Sequence, residues 1–186
     1  MKKLIGLIAL LALGVFAEAH AETAIGGGFT LTDQNGRQVS DADFRGRDML
    51  LFFGFTHCPD LCPTTLLVMS QVVEQLKGEA AGVAPVFISV DAGRDTPARL
   101  KEYLANFNPT IVGLTGTQPQ IDAVEAEYKT YSARVEDKDA PDGYGFDHSG
   151  YIYLMDRQGK FVTVFTADSS PQTIAAKIRE TLKAGK

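Results

Sequence analysis

Cys58 and Cys62 are the chain's two cysteines, separated by Pro59-Asp60-Leu61. Deprotonated cysteine is a soft ligand suited to Cu(I), zinc or iron–sulfur iron, and it is also the nucleophile of thiol–disulfide exchange. A plain structural disulfide is the ordinary alternative in an exported protein. A bridge between residues four apart closes so small a loop that it constrains the unfolded chain little. A redox-active pair, open to disulfide formation, or a metal site is therefore the better reading. Two sulfurs make an incomplete ligand set, and imidazole is the natural complement. His57 adjoins Cys58, so chelation by both side chains is strained, and it reads as a residue packed beside the site. For His148 spacing alone leaves both a structural and a ligand role open. Zinc competes, but structural zinc takes four protein ligands and catalytic zinc three plus water. Met49, Met69 and Met155 are scattered. Asp60 reads as a carboxylate in the first turn of a helix. Asp147 is equally an orienting partner of His148 or an ordinary loop acid.

The elements that must position these residues follow from the hydrophobic pattern. Residues 29–39 alternate around Asn35-Gly36, a hairpin signal. Residues 49–55 and 85–90 are dense apolar runs, expected as buried strands. Between them, Leu67, Val68, Val72, Val73 and Leu76 recur at helical spacing over 64–77. Cys58 then sits past the end of a buried strand, where α/β sheets place reactive sites. A helix starting near Pro59 would put Cys62 in its first turn and aim free N–H groups at a thiolate. Thr96-Pro97 is an N-cap with proline at the first helical position, followed by a buried stripe of Leu100, Tyr103, Leu104 and Phe107. A short strand at 111–114 and a helix at 119–131 come next. Residues 136–146, with Pro141, Gly143 and Gly145, read as a flexible loop. Strands at 151–155 and 160–165, joined by a turn at 156–159, precede a helix at 171–182. This alternation predicts an α/β fold with a central sheet flanked by helices and an N-terminal β-hairpin.

Lys2 and Lys3 precede an apolar run over 4–16 that ends near Ala19-His20-Ala21. A basic start, a short apolar core and small residues before a polar one describe a secretory signal peptide. The run is shorter than the roughly 20 residues of a spanning helix, which disfavours an uncleaved anchor. The expected organisation is a signal peptide at 1–21 and one soluble periplasmic domain at 22–186, with no membrane span in the mature chain. The net charge is −5 at pH 7, with no basic cluster, which argues against nucleic acid as a partner.

Four segments carry a resemblance. Gly54-Phe55-Thr56-His57-Cys58-Pro59-Asp60-Leu61-Cys62-Pro63 closely resembles the signature of the Sco/SenC family of copper-binding proteins. So do Ser89-Val90-Asp91 with Arg94-Asp95-Thr96-Pro97, Leu100 and Tyr103, and the stretch from Gly113-Leu114-Thr115-Gly116 to Tyr128 and Tyr131. Asp147-His148-Ser149 leading into Tyr153-Leu154-Met155-Asp156 completes the match, which spans about residues 28–182. The resemblance implies a thioredoxin-like fold and one bound copper, Cu(I) or Cu(II), held by Cys58, Cys62 and His148. It implies a metallochaperone that assembles the CuA centre of cytochrome c oxidase. The partners would be oxidase subunit II or another copper-site client, together with an upstream copper donor. Many members keep an N-terminal membrane anchor, and many have a proline-containing turn where this chain reads Asp91-Ala92-Gly93. Thioredoxin-type oxidoreductases carry a Trp before Cys-x-x-Cys and a proline opposite the disulfide. This chain has no Trp, one more residue between its cysteines, and His148 where that proline would stand. The alternative activity is a thiol–disulfide reductase acting on a client's cysteines; a peroxidase-like or redox-sensing role is a third.

Overall fold

The computed structural model describes residues 24–140 and 142–184; the expected signal peptide at 1–21 lies outside them. The first hairpin pairs β1 (Thr30–Asp33) with β2 (Gln38–Ser40) across the Asn35-Gly36 turn, as expected. Asp33 fixes that turn by accepting from the backbone N–H groups of Asn35 and Arg37 at 2.8 and 2.9 Å. β3 (Asp48–Gly54), β4 (Val83–Ser89) and β5 (Val112–Thr115) are parallel neighbours. β3 and β4 are buried along their whole lengths, which is why both read as unbroken apolar runs rather than alternating ones.

α1 (Leu61–Leu76) carries the chain from β3 to β4, and α2 (Pro97–Leu104) from β4 to β5. Both crossovers step in the same direction across the sheet, so a shared right-handedness puts both helices on one face. Side chains confirm it: Gly54 of β3 faces Cys62 of α1, and Phe87 of β4 meets Tyr103 of α2 at 6.2 Å between rings. α3 (Gln118–Tyr128) covers the opposite face, where Tyr128 stacks edgewise on Phe53 and Tyr153 at 5.7 and 5.8 Å.

The expected final strands and helix are present. They will be called β8 (Ile152–Met155), β9 (Phe161–Phe165) and α4 (Pro171–Ala184), and α4 packs along α1. The seven-stranded sheet runs β2-β1-β5-β4-β3-β8-β9, with parallel and antiparallel pairs mixed.

Two expectations change. The helix expected to 131 ends at Tyr128, because Lys129 turns left-handed (φ 51°) and the N–H of Thr130 returns to the Glu125 carbonyl. Such a cap redirects the chain. The expected flexible loop at 136–146 is instead largely a β-ribbon. β6 (Ser132–Glu136) pairs antiparallel with β7 (Tyr144–His148), apart from the main sheet, and among the described residues 137–140 and 142–143 lie outside the strands. His148 is thus the last residue of a strand. The ribbon escaped the pattern reading because it buries no full face: Arg134, Val135 and Glu136 are exposed. Hydrophobic alternation reports a strand only where one face meets a core.

Tyr128 locks α3 to the sheet and is 2% exposed. Tyr128→Ala is expected to lower unfolding stability by about 3 kcal/mol, read as a shifted midpoint in urea titration.

Candidate metal centre

The site is built where β3 ends and α1 begins. After Gly54 the chain turns through Thr56 and His57, and the N–H of Cys58 bonds the Phe55 carbonyl at 3.3 Å. Asp60 occupies the N-cap position; its carboxylate makes no capping bond. Cys62 therefore lies in the first helical turn, where backbone N–H groups have no partner within the helix. The Cys62 N–H points at Cys58 Sγ, 3.3 Å away. Both cysteines are free thiols; Cys62 is buried and Cys58 half-buried.

The two sulfurs share one proton unequally. A hydrogen bond from the Cys62 thiol pulls Cys58 down to about 4. Donation from the Cys62 and Asp60 N–H groups helps, against the opposing pull of burial. Burial pushes Cys62 strongly upward, and the neighbouring thiolate pushes it further. One sulfur is charged and ready while the other retains its proton.

His148 comes to the same point from the end of β7. Its Nε2 lies 3.5 Å from Cys62 Sγ. Its Nδ1 lies 3.2 Å from the Ser149 carbonyl oxygen, a group that can only accept, so Nδ1 carries the proton and Nε2 is left free. Orientation through the far ring nitrogen is how metal-binding imidazoles are usually set. Asp147, weighed for that role, is exposed and faces away along the strand; the backbone carbonyl one residue on takes its place. The rings of Phe52 and Phe55 hold the imidazole edgewise at 6.0 and 5.7 Å.

The ligand atoms of Cys58, Cys62 and His148 all lie within 4.8 Å of one another. With bonds of about 2.3 Å to sulfur and 2.0 Å to nitrogen, typical of a small first-row ion, a planar three-coordinate site needs separations of about 3.7–4.0 Å. The three residues fit a metal with little rearrangement. A second group, His57, Asp91 and Asp95, is as close-set, but its carboxylates are already committed. Asp95, fully buried, accepts from the Thr56 N–H, the Thr56 hydroxyl and the Ser89 hydroxyl at 2.9, 2.7 and 2.6 Å. Asp91 accepts from Arg94 and from the Tyr144 hydroxyl. His57 stands beside the site, its Nδ1 3.2 Å from the Thr56 hydroxyl and 3.9 Å from Asp95.

Gly54, Thr56, Asp95 and the Ser149 carbonyl matter here, and the chemistry of residue types does not single them out. Gly54 has a steric reason: a Cβ there would stand 2.7 Å from Cys62 Sγ and 2.9 Å from the Phe87 ring. Gly54→Ala should push the Cys62 sulfur aside and cost about 1–3 kcal/mol of stability in denaturant titration. The reduced, metal-free protein should be alkylated by iodoacetamide at Cys58 at a rate that rises through pH 4 and is nearly flat from pH 6 to 8. An ordinary thiol gains about tenfold per unit over that range because its pKa lies near 8.5. Mass spectrometry of the quenched protein checks both the rate and the site.

A model of the SCO1/SenC family matches residues 17–183. An SCO2-like protein of Rickettsia felis is 46% identical over 150 residues, spanning 81% of this chain and 73% of the relative. The structure of Bradyrhizobium japonicum ScoI with copper bound superposes with a TM-score of 0.79 at 46% identity, covering 85% of this chain and 99% of that one. BsSco, described with a disulfide switch and as a member of the Sco family of cytochrome c oxidase assembly proteins, superposes with a TM-score of 0.67 at 26% identity. That alignment covers 86% of this chain and 94% of BsSco.

Proposed function

The chain belongs to the SCO1/SenC family, and we propose that it carries one copper ion on Cys58, Cys62 and His148 and delivers it to the CuA centre of cytochrome c oxidase. The observation that carries this reading is the convergence of two sulfurs and a free imidazole nitrogen within 4.8 Å. Two thiolates favour soft Cu(I), and an imidazole extends the set toward Cu(II). Three ligands, with no fourth in the group among the described residues, suit copper better than structural zinc. The copper-bound Bradyrhizobium relative and the oxidase-assembly role of BsSco's family point the same way. Among the described residues no helix is long and apolar enough to cross a membrane. The basic start and short apolar run over 2–16 are what support reading 1–21 as a leader and 22–186 as exported to the periplasm.

Loading follows from the protonation pattern. Cys58 is already a thiolate; copper displaces the remaining proton from Cys62 and takes the lone pair on Nε2 of His148. Metal affinity therefore rises with pH as that proton becomes easier to remove. Oxidation of the pair to a disulfide removes both sulfur ligands at once, so carriage requires the reduced state.

The unequal thiols also favour a second reading, a reductase. Cys58 would attack a client's disulfide, and Cys62, losing its proton, would close the Cys58–Cys62 bond and release the client as a dithiol. His148→Ala separates the two. As a carrier, the variant should lose at least tenfold in Cu(II) affinity by competition titration and fail to restore oxidase activity in cells lacking the protein. As a reductase, it should keep both its rate on a disulfide substrate and its rescue of the cells.

A further inference from the structure

The loop at 89–96 touches both halves of the site. On one side Asp95, itself held by the Ser89 hydroxyl, grips Thr56, two residues before Cys58, with every participant buried. On the other side Asp91 and Arg94 hold Tyr144, four residues before His148. Arg94 pairs with Asp91, donates to the Tyr144 carbonyl at 3.1 Å and lays its guanidinium 3.6 Å from the Tyr144 ring centre. Arg134, on the facing strand of the ribbon, stands 3.6 Å from the same centre. Two guanidinium groups can share that distance only from opposite faces, so the ring is clasped between them. The Tyr144 hydroxyl adds a 3.3 Å bond to Asp91.

The two grips differ in exposure. The cysteine-side grip is wholly inside the protein. The histidine-side grip reaches the surface: Asp91 and Arg94 are largely buried, but Arg134 is exposed, and a cleft of about 360 Å³ opens beside Asp91, Arg134, Tyr144 and Phe146. Further ties run at its foot, where Ser149 and Tyr131 exchange two hydrogen bonds, at Ser132, bonded to Glu125, at Phe146, packed on Phe55, and at His148 itself, set between Phe52 and Phe55. Its backbone bonds close within itself, so it can turn about that foot without breaking the main sheet.

We propose that the Arg94–Tyr144 stack is a latch that positions His148: closed, it holds the imidazole at the sulfurs, and open, it lets the ribbon carry the imidazole away while both cysteines stay in place. Arg94 and Tyr144 are positioning residues that touch no metal. The inference rests on His148 being a copper ligand. Tyr144 is half-buried and the outer guanidinium, Arg134, is exposed, and a single cation–aromatic contact is weak, so a partner can open the latch by engaging the Tyr144 ring from the Arg134 side.

Two measurements test it on the whole domain. In the metal-free protein, Arg94→Ala should speed hydrogen exchange of the β6 and β7 amides at least tenfold and leave β3 and β4 unchanged. In the Cu(I)-loaded protein, the same variant should give up its metal to a chromophoric Cu(I) chelator at least fivefold faster. Loaded instead with Cu(II), it should keep thiolate-to-copper absorption, since the sulfurs stay. Because Arg94→Ala strands the buried Asp91 carboxylate, Tyr144→Leu, which keeps the Arg94–Asp91 pair, carries the same expectations. His148→Ala is the reference. If it accelerates release and the latch variants match the parent in exchange and release, the latch is wrong. If His148→Ala releases copper at the parental rate, the ligand reading falls, and ribbon exchange alone decides whether the latch exists. Loss of thiolate absorption in the latch variants would also overturn the proposal, since it would place the disturbance at the cysteines.

Discussion

The buried carboxylate of Asp95 joins two segments that the sheet alone would leave independent: the turn after β3 and the loop after β4. It does so by accepting three hydrogen bonds, two from Thr56 and one from Ser89. Burial makes its charge costly and raises its pKa, yet those donors would be stranded without it. A buried donor that loses its partner costs about 1–3 kcal/mol. This tie sets the path of residues 54–58, and that path sets where Cys58 stands relative to the start of α1. The ring contacts of Phe55 with His148 and Phe146 depend on the same path.

The cysteine pair illustrates how position determines chemistry. The two residues are identical in type and four apart, yet their protons are held very differently. Cys58 faces the N–H groups of a helix start and a donating thiol, whereas Cys62 is sealed beneath Gly54 and Phe87. Their asymmetry suits a soft cation arriving from outside, which meets a negative sulfur first and a protonated one behind it. It equally suits a nucleophile backed by a resolving thiol, which is why the fold serves both carriers and redox enzymes.

Much of the fold was legible because its core obeys simple periodicities. The apolar runs near 49–55 and 85–90, the Asn35-Gly36 hairpin and the Thr96-Pro97 helix start all lie within a few residues of their observed places. The cysteines were legible from chemistry and the smallness of the loop they could close. His148 was not, since a single histidine has no period, and only family resemblance singled it out. The β6–β7 ribbon was hidden by its solvent-facing surface, as was the left-handed turn at Lys129, which commonly takes glycine. The carbonyl that orients His148 belongs to the backbone of Ser149, and a backbone group leaves no mark on residue type.

Because the ribbon satisfies its own backbone bonds and sits outside the seven-stranded sheet, the molecule is divided into a chassis and a tool. The chassis carries the sulfurs and nearly all of the buried apolar surface; the tool carries one imidazole. Changes to the tool leave the buried core largely untouched, so lineages can lengthen, stiffen or recharge the hairpin without the fold failing. Thermal robustness and grip on cargo thereby become separately adjustable traits, open to selection at different sites of one chain.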